Sequence, residues 1–136
     1  MSVFDYANPK VAKVLSFVLT DTAEVMQGDL VCGDPATGMV VPAADADNTM
    51  LALGFATRDA VGDGVAEIEV SLFEPLYLYS FANDAGGDAL TLAFTQAYVK
   101  DAQTVQATGT TAALAGLALK VTADRVLVYM NPYLGV

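Results

Sequence analysis

The unbroken alternation of apolar and polar residues in Ala66-Glu67-Ile68-Glu69-Val70-Ser71-Leu72 limits this chain more than any other feature. On an extended strand, successive side chains point to opposite faces, so Ile68 and Val70 share one side and both glutamates the other. A helix cannot collect that pattern on one stripe. The residues upstream read in the same way, in short pieces. Met26-Gln27-Gly28-Asp29 turns into Leu30-Val31-Cys32, then come Gly38-Met39-Val40-Val41-Pro42 and Leu51-Ala52-Leu53-Gly54-Phe55-Ala56. Each piece has the length of a short strand and is bounded by Gly, Pro, Asn or Asp.

The turn residues have physical roles. Gly28 can take a positive φ without a Cβ penalty. Cys32-Gly33-Asp34-Pro35-Ala36-Thr37-Gly38 predicts a hairpin loop, Pro42 ends the strand after it, and Ala43–Thr49 reads as an acidic loop. Gly54, inside an apolar run, predicts a bulge or a close backbone approach. Val11–Leu19 reads as a first strand, rich in β-branched and aromatic residues. Leu76–Phe81 reads as another, apolar on both faces, with Tyr77, Tyr79 and Phe81 on one of them.

A weak internal repeat runs through these pieces. Gly87-Asp88-Ala89-Leu90 echoes Gly28-Asp29-Leu30-Val31, and Leu114-Ala115-Gly116-Leu117-Ala118 echoes Ala52-Leu53-Gly54-Phe55-Ala56. Arg125-Val126-Leu127-Val128-Tyr129 echoes Glu67-Ile68-Glu69-Val70-Ser71. The spacing drifts from one echo to the next, which suits two related β lobes with different loops and not a solenoid. It also argues for a strand over Ala112–Leu119, where propensity alone favours a helix. The expectation is an all-β fold: a small single-domain β-barrel or β-sandwich of short antiparallel strands. Residues 1–10 form an N-terminal arm and 11–130 the β domain, with lobes at about 25–72 and 86–130. Residues 131–136 form a C-terminal tail. The arm, with Val3, Phe4 and Tyr6 before Asn8-Pro9, and the tail, with Tyr133 and Leu134, are apolar extensions that call for something to pack on.

Composition excludes several classes. The 136 residues carry 16 acids against 6 bases, a net charge of −10, which repels phosphate backbones and anionic membranes. Neither a nucleic-acid nor a membrane partner is expected. No apolar run approaches the roughly 18 residues of a membrane helix, and Met1–Tyr6 has no signal-peptide pattern. One cysteine and no histidine leave no intramolecular disulfide, no usual zinc site and no histidine-based nucleophile system. Cys32 reads as a small buried hydrophobe.

The remaining candidates for chemistry are weak. Glu67 and Glu69 share a strand face, a spacing open to paired-carboxylate work, but the alternation already accounts for them as the solvated side. Asp45-Ala46-Asp47-Asn48-Thr49 begins like a calcium loop, yet Met50 and Ala56 stand where that loop needs Gly and Glu. Gly62-Asp63-Gly64 lacks the third glycine of a dinucleotide fingerprint. No catalytic, cofactor or metal residue is assigned, and no enzyme is expected.

The order Gly-Asp-Leu-Val (28–31), Gly-Met-Val-Val-Pro-Ala (38–43), Leu-Ala-Leu-Gly-Phe-Ala (51–56) and Ala-Glu-Ile-Glu-Val (66–70) resembles the small capsid decoration, or cement, proteins of tailed bacteriophages. Ala-Gly-Leu-Ala-Leu (115–119) and Arg-Val-Leu-Val (125–128) fit the same layout. The likeness spans roughly residues 11–130. It implies a compact β domain on the outer surface of a virion, made in the host cytoplasm. Its partner would be the major capsid protein, and it would be a homo-oligomer, a trimer by preference. Val3, Phe4, Tyr6, Pro9, Tyr133 and Leu134 are the residues expected at capsid or subunit contacts. Another virion component, such as a head fibre base or tail protein, has the same signature. So does a small ligand- or carbohydrate-binding barrel with Tyr77, Tyr79 and Phe81 lining its pocket.

Overall fold

A computed structural model describes residues 13–74 and 77–130. The strands are β1 (Val14–Val18), β2 (Glu24–Val25), β3 (Leu30–Gly33), β4 (Val40–Pro42), β5 (Leu51–Ala56) and β6 (Ala60–Val61). They continue with β7 (Glu67–Leu72), β8 (Leu78–Asn83), β9 (Thr95–Val99), β10 (Thr104–Gln106), β11 (Leu114–Val121) and β12 (Arg125–Tyr129). The helical content of the described residues is one short turn, Ala43–Asp45, directly after Pro42. The protein is all-β, as the alternating segments predict.

Two units of one topology make up the chain. The first sheet runs β1-β7-β5-β3-β4, and a parallel bridge from Leu19 to Val40 draws its two ends together. The second runs β8-β12-β11-β9-β10 and closes as a barrel, because β10 pairs parallel with β8 through Val105 and Asn83. The correspondence holds at single residues. Leu53 bulges out of the β3–β5 register and Ala115 out of the β9–β11 register, each just before the glycine of its strand. A Cβ on Gly54 would lie 2.0 Å from the carbonyl oxygen of Ser71, and one on Gly116 would lie 2.1 Å from that of Tyr129. Both glycines therefore permit a close approach of adjacent strands, which the apolar run around Gly54 predicts.

Each strand's alternation sets what it buries. In β7, Ile68 and Val70 enter a core with Leu19, Val25, Val31, Val40 and Ala56, while Glu67 and Glu69 stay in solvent. Strands β3 and β4 are buried on both faces: Val31 and Val40 look into the first unit, whereas Leu30, Cys32 and Val41 pack onto the second. There they meet Phe81, Val105, Val126 and Val128 in one continuous core. Burying a side chain such as Leu30 contributes about 1.5–3 kcal/mol, so the contact between the units is part of the fold's stability. Phe55 ties the junction, with ring centroids 5.5 Å from Phe73, 5.4 Å from Tyr79 and 6.1 Å from Phe81.

Some expectations change in detail. The strand read over Val11–Leu19 occupies Val14–Val18, with residues 11–12 outside the described part. The strand read over Leu76–Phe81 begins at Leu78 and continues to Asn83. Only its Tyr79–Phe81 side is covered, and Leu78 is exposed, so it is not apolar-packed on both faces. Glu24-Val25 forms a two-residue ribbon with Ala60-Val61. The echo between Gly28-Asp29-Leu30 and Gly87-Asp88-Ala89 has no counterpart in the fold: Leu30 opens β3, whereas Asp84–Phe94 is loop. Sequence similarity there rests on turn residues shared by two unrelated bends.

Buried Asn83 organises that loop. Its side-chain amide donates to the carbonyl oxygens of Leu90 and Thr122 at 2.9 Å each, and its Oδ1 accepts from the Leu90 N–H at 2.9 Å. The corresponding position in the first unit, Leu19, bridges to Val40 as Asn83 does to Val105. An amide replaces a leucine where a longer loop needs its backbone groups satisfied.

Candidate docking face

Lys13 and Tyr129 both lie at the junction between the two units. The Lys13 carbonyl accepts from the Leu72 N–H at 2.9 Å, so the start of β1 lies against the end of β7. At the other end, Tyr129 of β12 pairs with Leu78, the first residue of β8. Residues 13 and 129 are thus held at the two ends of the short connection from Leu72 to Leu78. Six residues extend at most about 20 Å, so Lys13 and Tyr129 lie toward one edge of the domain.

Exposed apolar groups surround that edge. Tyr77 is 60% exposed, and Val14 and Leu78 are exposed as well. Lys13 and Glu74 form an ion pair of 2.7 Å beside them, and the hydrogen bond to Glu74 raises the Lys13 pKa. The Glu74 N–H donates to the Tyr79 hydroxyl at 2.9 Å, which anchors the connection to the aromatic cluster below. The aromatic cluster of Phe55, Phe73 and Tyr79 thus lies under the exposed apolar side chains of this edge.

Val3, Phe4, Tyr6, Pro9, Tyr133 and Leu134 lie outside the described residues. The structure instead brings Val14, Tyr77 and Leu78 to the same edge. The period groups Tyr77 with Tyr79 and Phe81, but the ladder starts one residue later and Tyr77 stays in solvent. Tyr79 and Phe81 pack against Phe55 in the aromatic cluster. Nothing in the local sequence marks Val14 or Leu78 as exposed, because that depends on which neighbour covers each strand.

The other candidate groups are placed as follows. Cys32 is buried between the units, and desolvation pushes its thiol pKa up to about 12. Asp47 accepts from the Thr49 hydroxyl and the Thr49 N–H, which lowers its pKa and closes a local turn. Among the described residues, no group of three or more His, Cys, Asp or Glu is gathered to hold a metal ion, and no helix is long and apolar enough to cross a membrane. The described fold is all-β, in a single domain built from two units of like strand order. In comparisons with known proteins, no family model, curated protein or solved structure matches the chain.

Proposed function

We propose that the chain is a non-enzymatic virion protein that decorates the outer surface of a bacteriophage capsid and stabilises it by bridging neighbouring major capsid subunits. The observation that carries this reading is the group of exposed apolar side chains, Val14, Tyr77 and Leu78, at the junction edge beside Lys13 and Tyr129. An apolar edge of this kind can seat on a neighbouring protein surface. A ligand that binds only the assembled lattice stabilises it by mass action, and many linked copies supply avidity that one site lacks. The resemblance of residues 28–31, 38–43, 51–56 and 66–70 to decoration proteins supports the same reading, with a trimer as the implied assembly.

The test is the copy number of the protein in purified virus particles from its source, by quantitative mass spectrometry. A copy number near one per capsid subunit is expected, and a chain lacking residues 1–9 should fold but attach weakly. A dozen copies or fewer would move the protein to a vertex, fibre or tail. Complete absence from particles would defeat the virion reading.

A further inference from the structure

The two units differ in how they close. In the second, β10 runs parallel to β8, and the Ala82 N–H donates to the Gln103 carbonyl at 2.9 Å. The preceding outward carbonyl of β8, on Ser80, accepts from Arg125 Nη2 at 3.0 Å. In the first unit the bridge from Leu19 to Val40 matches that from Asn83 to Val105. By the same register Val18 stands for Ala82, Ser16 for Ser80 and Glu67 for Arg125. Neither closure is repeated there. Gly38, the counterpart of Gln103, turns back into its own hairpin, its N–H donating to the Asp34 carbonyl at 2.8 Å. An ionised Glu67 has no hydrogen to donate to a carbonyl. Lys13 and Leu19 bond across to β7, so in the alternation of an antiparallel pair Ser16 and Val18 turn their backbone groups outward. Among the described residues, the Val18 N–H and the Ser16 carbonyl are therefore left open on the outer side of β1, the end strand of its sheet.

The gap so left holds a hollow of about 180 Å³, lined by Phe17, Pro35, Met39, Leu51 and Leu53, with Asp34 at its side. A strand running parallel to β1 matches this gap group by group. Its residue opposite Phe17 would donate its N–H to the Ser16 carbonyl and accept from the Val18 N–H. The side chain of that residue would point to the same face as Phe17, the side of the hollow. Its two neighbours would point outward beside Ser16 and Val18, which pair with Glu69 and Glu67. We propose that this seam binds an extended, basic segment of a partner protein, which adds a strand to β1 and places an aliphatic side chain in the hollow. Main-chain bonds supply the affinity of such a contact, and alternate side chains its selectivity. Charge decides the partner: with Glu67, Glu69 and Asp34 about the seam and a net −10 on the chain, a second copy is repelled and a cationic strand is attracted. Binding here needs no capsid, so it holds whether or not the protein is a virion component.

The probe is a fluorescein-labelled peptide, Lys-Thr-Lys-Leu-Lys-Thr-Lys, titrated against the full chain by anisotropy and by amide NMR. Saturable binding is expected, with the Val18 amide among the largest shifts. Glycine in place of the peptide's leucine should weaken binding at least about tenfold, because the hollow then stays empty. Glu67→Arg, at an exposed position, supplies the cap that Arg125 gives the second unit. It should weaken binding about tenfold, and more than Glu67→Gln does. No binding at millimolar peptide overturns the proposal, as does an E67R variant that binds like the wild type. Equal affinity for the glycine peptide also overturns it, by reducing the contact to surface charge. So does a Val18 amide that shifts with protein concentration alone, or exchanges slowly in the free chain, because a second copy or the chain itself then fills the seam.

Discussion

Gly54→Ala isolates the close approach of β5 and β7. The φ of Gly54 lies outside the left-handed region, so any penalty comes from contact alone. The new Cβ would sit 2.0 Å from the Ser71 carbonyl oxygen, 2.8 Å from its carbon and 2.9 Å from the Leu72 Cα. All three are backbone atoms, and no side chain can swing away. Non-bonded carbon contacts settle near 3.5–4.0 Å, so the strands must separate by roughly 1–1.5 Å. That movement disrupts the ladder at Gly54–Leu72 and Phe55–Ser71, where each lost hydrogen bond costs about 1 kcal/mol. Overpacking adds about 1–3 kcal/mol, for a loss of about 3–5 kcal/mol, a large share of the roughly 5–15 kcal/mol that holds a domain. In urea titrations, with slopes of about 1–3 kcal/mol/M, the midpoint should fall by about 2 M. Gly116→Ala should match it, because its Cβ meets Tyr129 and Met130 in the same way. Gly86→Ala, whose Cβ meets nothing within 4 Å, should be neutral or slightly stabilising. A loss below about 1 kcal/mol in G54A would refute the reasoning.

Further predictions concern the buried polar groups and the thiol. Asn83→Ala strands the Leu90 N–H and the Leu90 and Thr122 carbonyls, so thermal unfolding should report a loss of about 3 kcal/mol; a change within 0.5 kcal/mol, the usual range of a surface substitution, would contradict the network. Asp84 has its pKa lowered first by the Lys100 hydrogen bond and then by the Asp88 N–H. A depressed folded pKa contributes stability above the unfolded value, near 3.8, which disappears as pH falls through the lower folded value. Lys100→Met should therefore narrow the gap between stability at neutral pH and in acid, read from urea midpoints. An identical acid profile in that variant would rule out the pair as a contributor. Cys32 should resist thiol reagents in the native protein and react at the rate of global opening, as labelling across a denaturant series would show.

Some of this protein was legible in its residues one short segment at a time. The alternation of Glu67–Leu72 places Ile68 and Val70 inside and two glutamates outside, because side-chain direction on a strand is a local property. Gly54 signals its bulge and Gly28 its positive φ for the same reason: each is a backbone condition that few residues satisfy. The strand over Leu114–Val121, against helix propensity, was legible through its likeness to β5. Pairing was not legible. Gly87-Asp88 mimics Gly28-Asp29 in sequence, yet the residue that occupies the Gly28 position is Phe94, and only the hydrogen bond to Ala118 shows it. Likewise, both faces of β3 and β4 are buried because the second unit covers the outer one, while Val14, Tyr77, Leu78 and Phe94 remain uncovered. Local chemistry decides which residues form strands and turns. Which apolar faces find a partner depends on contacts between residues far apart in the chain, and those exist only once the two units have closed and packed.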